Sequence, residues 1–217
     1  MPQRYPRRGA SGKIGVNKPD KEEASMALKK TKSIMHGGKR VSEILEAHQL
    51  FFAGKDGGVR ADLSGANLSG ADLSGANLSG ALLPNANLEK ADLRKTRLPH
   101  ADLAGANLRK ADLRNTDLTE ANLAGANLQE AQASGVEFFR CDLSNTNFQR
   151  ALLRNANFRL ANVNGAKFSG ADMGVAILRE TDLTGADLSG VDLSTTLMPR
   201  NFPSGKSATA KVETKSA

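Results

Sequence analysis

Large aromatic side chains are scarce in this chain of 217 residues: tryptophan is absent, tyrosine occurs once, and aromatics total 4%. So few rings suit a narrow interior filled by leucine and alanine. A single cysteine, Cys141, excludes an intramolecular disulfide framework. The three histidines, His36, His48 and His100, share no metal-ligand spacing with one another or with Cys141. No apolar run reaches membrane-span length. The opening MPQRYPRRGASGKIGV lacks the apolar segment of a signal peptide, and Arg7-Arg8 is followed by Gly and Lys, which argues against twin-arginine export. A cytoplasmic location is expected. Gly205-Lys206-Ser207 resembles the end of a phosphate loop, but the loop's first glycine is missing. No cofactor, metal or small-molecule substrate is expected, and no catalytic residue stands out.

What is present is a repeat. From Ala61 to Thr195 the chain repeats every five residues, 27 times, without insertion or deletion, beginning ADLSG, ANLSG, ADLSG, ANLSG. With the central position called i, it holds Leu 20 times and Phe four times. The remaining occupants are Ala133, Val163 and Met173. Position i−2 is Ala 20 times and otherwise Thr, Val or Cys141; position i−1 is Asp 11 times and Asn nine times; position i+2 is Gly 11 times and Asn four times. A period of five is neither helical nor purely extended. Positions i−2 and i, two apart and apolar, share one side of a short extended piece, while i−1 and i+1 point outward. The chain must bend near i+2, where Gly and Asn tolerate unusual backbone angles. One copy buries nothing alone; stacked copies bury a continuous interior, at about 4.8 Å per layer. Because Asp recurs at i−1 for structural reasons, no carboxylate pair reads as acid and base. Cys141 occupies an inward i−2 position as a small filler.

These residues resemble the pentapeptide-repeat family, A-(D/N)-L-x-x, across all 27 copies. The resemblance implies an all-β fold, a right-handed quadrilateral β-helix with four copies per coil. At that count the rod has about 6.75 coils and is roughly 32 Å long. Mild departures from pattern between Gln132 and Phe139 and at Val175 are expected to be local irregularities. Phe138, Phe148, Phe158 and Phe168 are ten apart and are expected to form two short interior stacks on opposite faces. Phe139, Leu82, Leu152 and Ile177 fall at outward positions.

Four domains are read. Residues 1–40 form a basic leader, disordered over 1–20 and weakly helical over 22–35, with Met26, Leu28, Ile34 and Met35. Residues 41–60 form a capping helix and Gly-rich connector; residues 61–195 the repeat rod; residues 196–217 a C-terminal cap and disordered tail. Val41, Ile44, Leu45, His48, Phe51 and Phe52 lie on one helical face and are expected to cover the first coil. Leu197, Met198 and Phe202 cover the last coil or form a homodimer contact.

Charge is unevenly spread. Residues 1–60 hold 13 Lys and Arg against 6 Asp and Glu, giving +7; residues 61–195 hold 13 against 16, giving −3; residues 196–217 hold 4 against 1, giving +3. Folded at 20 residues per coil, face one, centred on Leu63, Leu83, Leu103, Leu123, Leu143, Val163 and Leu183, carries no cation. Faces two and three hold 9 of the rod's 13 cations, including a corner formed by Lys90, Lys110 and Arg150 in one column and Arg94, Arg114 and Arg154 in the next. That corner reads as an anion-binding edge or as a solvated ladder neutralised by Asp92 and Asp112, two residues before Arg94 and Arg114. The expected function is a non-enzymatic scaffold for another protein. Two alternatives stand beside it. One is a DNA-mimicking inhibitor or protector of a type II topoisomerase (gyrase), as some family members are. The other is an anionic-surface or nucleic-acid binder acting through the basic tails.

Overall fold

The computed structural model of the protein describes residues 31–200 and 202. The expected disorder over 1–20 and 204–217, and most of the expected leader helix, lie outside those residues. The end of that helix is corrected: β1 (Met35–His36) pairs antiparallel with β2 (Lys39–Arg40) in a two-residue hairpin, so Met35 is in a strand. Gly37 and Gly38 form its turn, both with positive φ.

Helix α1 (Val41–Phe52) follows directly. Glu43, in its first turn, accepts a hydrogen bond from the Arg40 backbone N–H at 3.1 Å, a helix-start contact. The helix ends where Gly54 adopts positive φ and its N–H donates to the Phe51 carbonyl. Val41, Leu45 and His48 are buried and Ile44 is partly buried against the core. Phe51 and Phe52 depart from the expectation: they are 47% and 48% exposed. The covering stripe stops at His48 because the chain folds back against the last turn. The Val59 N–H donates to the Ala47 carbonyl, and a Cβ on Gly58 would collide with the backbone of Leu50 and Phe51.

From Ala61 onward every coil has 20 residues. Parallel β-bridges join residues 20 apart, so Asp62, Leu82, Asp102, Asn122, Asp142, Asn162 and Asp182 form one column, and three equivalent columns complete the four sides. Within a column the Leu63 N–H donates to the Leu82 carbonyl at 2.7 Å and the Leu82 N–H returns to the Ala61 carbonyl at 2.9 Å. Each side ends in a β-turn, as where the Ala66 N–H donates to the Leu63 carbonyl. The third turn residue, position i+2, has positive φ in every repeat from Gly65 to Gly190, as a type II turn requires. Fifteen of these residues are not glycine, and they include β-branched Val175 at φ 59°. A left-handed L-residue costs about 1–2 kcal/mol, so the stacked neighbours over-determine the turn.

Positions i−2 and i are buried as read, Cys141 included, except that Leu193 in the last of the 27 copies is only partly buried. Its thiol donates to the Leu118 carbonyl at 2.8 Å, and burial pushes its pKa up to about 12, leaving no thiolate at neutral pH. Inward threonines do the same in place of alanine: the hydroxyls of Thr96, Thr116, Thr146 and Thr181 donate to the Leu73, Leu93, Leu123 and Phe158 carbonyls at 2.6–2.9 Å. The phenylalanines form the two expected stacks, Phe138 on Phe158 at 4.9 Å and Phe148 on Phe168 at 5.0 Å. The stacks also meet edge to face across the interior at 5.6–5.9 Å.

The rod runs one repeat further than the sequence pattern. Leu197 bridges Ile177, and the Thr196 hydroxyl donates to the Met173 carbonyl at 3.0 Å. Thr196-Leu197-Met198-Pro199-Arg200 is thus a degenerate copy that completes seventh-coil register. Leu197 therefore stands at an outward position, 38% exposed, and does not cover the coil end; Met198 and Phe202 pack partly against the core.

Candidate docking faces of the rod

The i−1 side chain, the most restricted outward residue, is an acceptor. Its Oδ1 takes the backbone N–H two residues on, as in Asp62 to Ser64 (3.0 Å), Asn107 to Arg109 (3.2 Å) and Asp182 to Thr184 (2.9 Å). Asp and Asn make this turn equally well, which explains why they share the position. The signal for it was the near-exclusion of Glu, Ser and Lys from i−1. Where Asn follows Asp in a column, its amide also bridges coils: Asn122 Nδ2 donates to Asp102 Oδ1 at 3.0 Å, and Asn162 Nδ2 to Asp142 Oδ1 at 3.1 Å.

Face one is consequently an ordered acidic surface. Its i+1 residues are small or short, Ser64, Pro84, Ala104, Ala124, Ser144, Asn164 and Thr184, so nothing long rises above the Asp column. Hydrogen bonds from Ser64 and Thr184 hold the Asp62 and Asp182 carboxyls below the usual carboxylate range, keeping both ends of the face charged.

The basic corner is assembled as columns, with its charges largely paired. Arg94 donates from Nε and Nη2 to the two Asp92 oxygens at 2.9 and 2.6 Å, and Arg114 makes the same fork with Asp112. Asp112 also lies 3.6 Å from Arg94, so the two layers are linked. Partial burial pushes the Asp112 carboxyl up; hydrogen bonds from Arg114 and the nearby charges outweigh this and hold it below the usual range. Arg154 lies across the next coil, its Nη1 3.4 Å from both Asp172 oxygens. A Cβ on Gly174 would sit 2.8 Å from that Nη1, so glycine leaves the floor on which Arg154 rests. Lys110 pairs with Glu130 at 3.4 Å. Glu130 occupies the same column and separates Lys90 and Lys110 from Arg150. Lys90 and Arg150 make no ion pair among the described residues.

Four sides of stacked five-residue turns define the class: a β-helical repeat solenoid. The family description "Pentapeptide repeats" matches residues 61–98, 101–138, 137–174 and 160–194 in eight copies, and the chain belongs to that family. It is similar to HetL of the cyanobacterium Nostoc sp. strain PCC 7120, a pentapeptide-repeat protein involved in heterocyst differentiation regulation. The two are 30% identical over 66% of this chain and 81% of that one, with a TM-score of 0.49. A trypsin-treated form of QnrB1, a plasmid-mediated fluoroquinolone resistance protein, matches at 24% identity over 64% of this chain and 77% of its own, with a TM-score of 0.54, and shares the fold. The family and the fold shared with QnrB1 imply the right-handed sense of the coil. No curated protein matches the chain.

Proposed function

We propose that this chain is a non-enzymatic scaffold that binds another protein along the sides of its rod. The observation that carries the reading is the contrast between columns held in fixed register. Face one presents Asp62, Asp102, Asp142 and Asp182 with no cation, while faces two and three carry most of the rod's Lys and Arg. A flat acidic face of small residues fits a protein with a basic surface. The corner of Lys90, Arg94, Lys110, Arg114, Arg150 and Arg154 is the competing site, weakened by the ion pairs that already occupy most of its cations. If two copies pair, exposed Leu197 favours a contact near the C-terminal end. No helix among the described residues is long and apolar enough to cross a membrane.

The test is affinity capture from host lysate with the full chain, an Asp102→Lys/Asp142→Lys variant and an Arg94→Ala/Arg114→Ala/Arg154→Ala variant. A partner lost only with the aspartate changes supports face one; a partner lost only with the arginine changes moves the site to the corner. Turnover that copurifies with the chain contradicts the scaffold reading. The fold shared with QnrB1 favours one second reading, action on a type II topoisomerase. A rod of net charge −3 is a poor imitation of DNA, and unaltered gyrase supercoiling in excess protein removes that reading. Binding through the tails, residues 1–40 and 200–217, rests mostly on residues outside the described structure, and deleting residues 204–217 without loss of partner argues against the C-terminal one.

A further inference from the structure

The stack begins with backbone groups that have no preceding coil to bond. In coil two, the Leu82 backbone donates to and accepts from coil one; its counterpart Asp62 has no coil before it. The side chains that close this end are Val41, Leu45 and His48 of α1, with Arg60 reaching the Gly80 carbonyl from the connector. Among the three helix residues only His48 is polar, and it is fully buried.

His48 Nδ1 accepts a hydrogen bond from the Ala61 N–H, at the first residue of the rod, at 3.0 Å. An imidazole nitrogen that accepts carries no proton, so this bond exists only for the neutral ring with its proton on Nε2. That Nε2 is buried with no partner at hydrogen-bond geometry; the Ser79 carbonyl of coil one is the polar group acting on it. The other groups facing the ring are Phe51, stacked at 6.2 Å, Phe52, edge-on at 5.0 Å, and the Arg60 cation of the connector. No carboxylate acts on the ring from α1, the connector or coil one. A second proton on His48 would remove the acceptor of the Ala61 N–H and bury a cation beside Arg60 with nothing to neutralise it.

We propose that α1 is a pH-released cover: protonation of His48 lifts the helix from the first coil and opens the end of the rod to strand pairing, while the coils themselves stay folded. Burial holds the His48 pKa below the ordinary histidine value, with Arg60 adding to the shift and the Ser79 carbonyl opposing it. The sign follows. The closed cover binds fewer protons than the open one, so its stability is complete above about pH 6.5 and falls as pH drops below that value.

Amide hydrogen exchange of the full chain, corrected for intrinsic rate, tests this at pH 7.5 and pH 5. The expected result is at least a tenfold loss of protection at Ala61 and Val59 on acidification, with Leu103 and Leu123 unchanged. His48→Asn keeps an acceptor at the Nδ1 position and cannot titrate in this range; it retains His36 and His100 as internal controls. Its Ala61 protection should not respond to pH. Unchanged wild-type protection at pH 5, or an equal acid loss in His48→Asn, overturns the proposal. If His48→Asn is unprotected at both pH values, NMR titration of the wild-type histidines decides. A His48 transition that coincides with loss of the Ala61 amide supports the cover, and titration at the ordinary histidine value with that amide still protected overturns it.

Discussion

The first three coils and the three that follow have the same backbone and different fillings. All twelve central positions from Leu63 to Leu118 are leucine, whereas those from Leu123 to Leu178 mix Leu, Ala, Phe, Val and Met. The parallel bridges, the turns and the buried i−2 column continue through both regions. The difference teaches that the coil's shape is set by main-chain bonds and by the turn at i+2, and that the interior then needs only the right total volume. Ala133 and Val163 give back space in the coils of Phe138 and Phe168, whereas the coil between them holds Phe148 and Phe158 beside Leu143 and Leu153. The cost of that solution is dependence: Phe158 contacts Phe138, Phe148 and Phe168, so one ring supports three others.

The largest expected effect breaks the comparison at that ring. Phe158→Ala should destabilise by about 3–5 kcal/mol, and by more than Leu103→Ala within its range of about 2–5, measured by denaturant unfolding. An equal or larger loss for Leu103→Ala would show that the two fillings are equivalent. Next come exchanges at i+2, which probe what both regions share. Gly125 has φ 68° with open space around it, so Gly125→Val should cost about 1–2 kcal/mol through backbone strain alone. Val175 is the natural counterpart, and Val175→Gly should raise the thermal midpoint. A lowered midpoint would mean that the Val175 side chain stabilises the rod by a contact outweighing its strain. The smallest effect belongs to the surface: Arg94→Ala with Arg114→Ala should leave stability nearly unchanged, because exposed pairs are solvent-screened.

Much of this was legible before the structure. A five-residue period with apolar i−2 and i dictates what is buried, and the ten-residue spacing of the phenylalanines places them in two stacks. The number of copies per coil was not legible, because a bend at i+2 fixes a direction change without fixing its angle; it came from the family. The final copy was hidden because all five of its residues, Thr196-Leu197-Met198-Pro199-Arg200, depart from the commonest residue at their positions, and main-chain pairing with Ile177 tolerates them. Phe51 and Phe52 continue the helical stripe in sequence, but the connector folds against their turn of the helix. The corner's neutralisation by Asp92 and Asp112 followed from a two-residue spacing. The pairing of Arg154 with Asp172 crosses coils and could be found only in three dimensions.

The central claim is that fixed columns on a rigid rod select a partner by face. Site-specific photo-crosslinking tests it most directly, with a photoreactive residue at Ala104 or Ala124 on face one, or at Gln129 or Ser134 beside the corner, in otherwise intact protein. The account predicts that one partner crosslinks from Ala104 and Ala124, that Asp102→Lys with Asp142→Lys abolishes the product, and that the corner positions yield little. Equal crosslinking from both surfaces, insensitive to the aspartate changes, would contradict it.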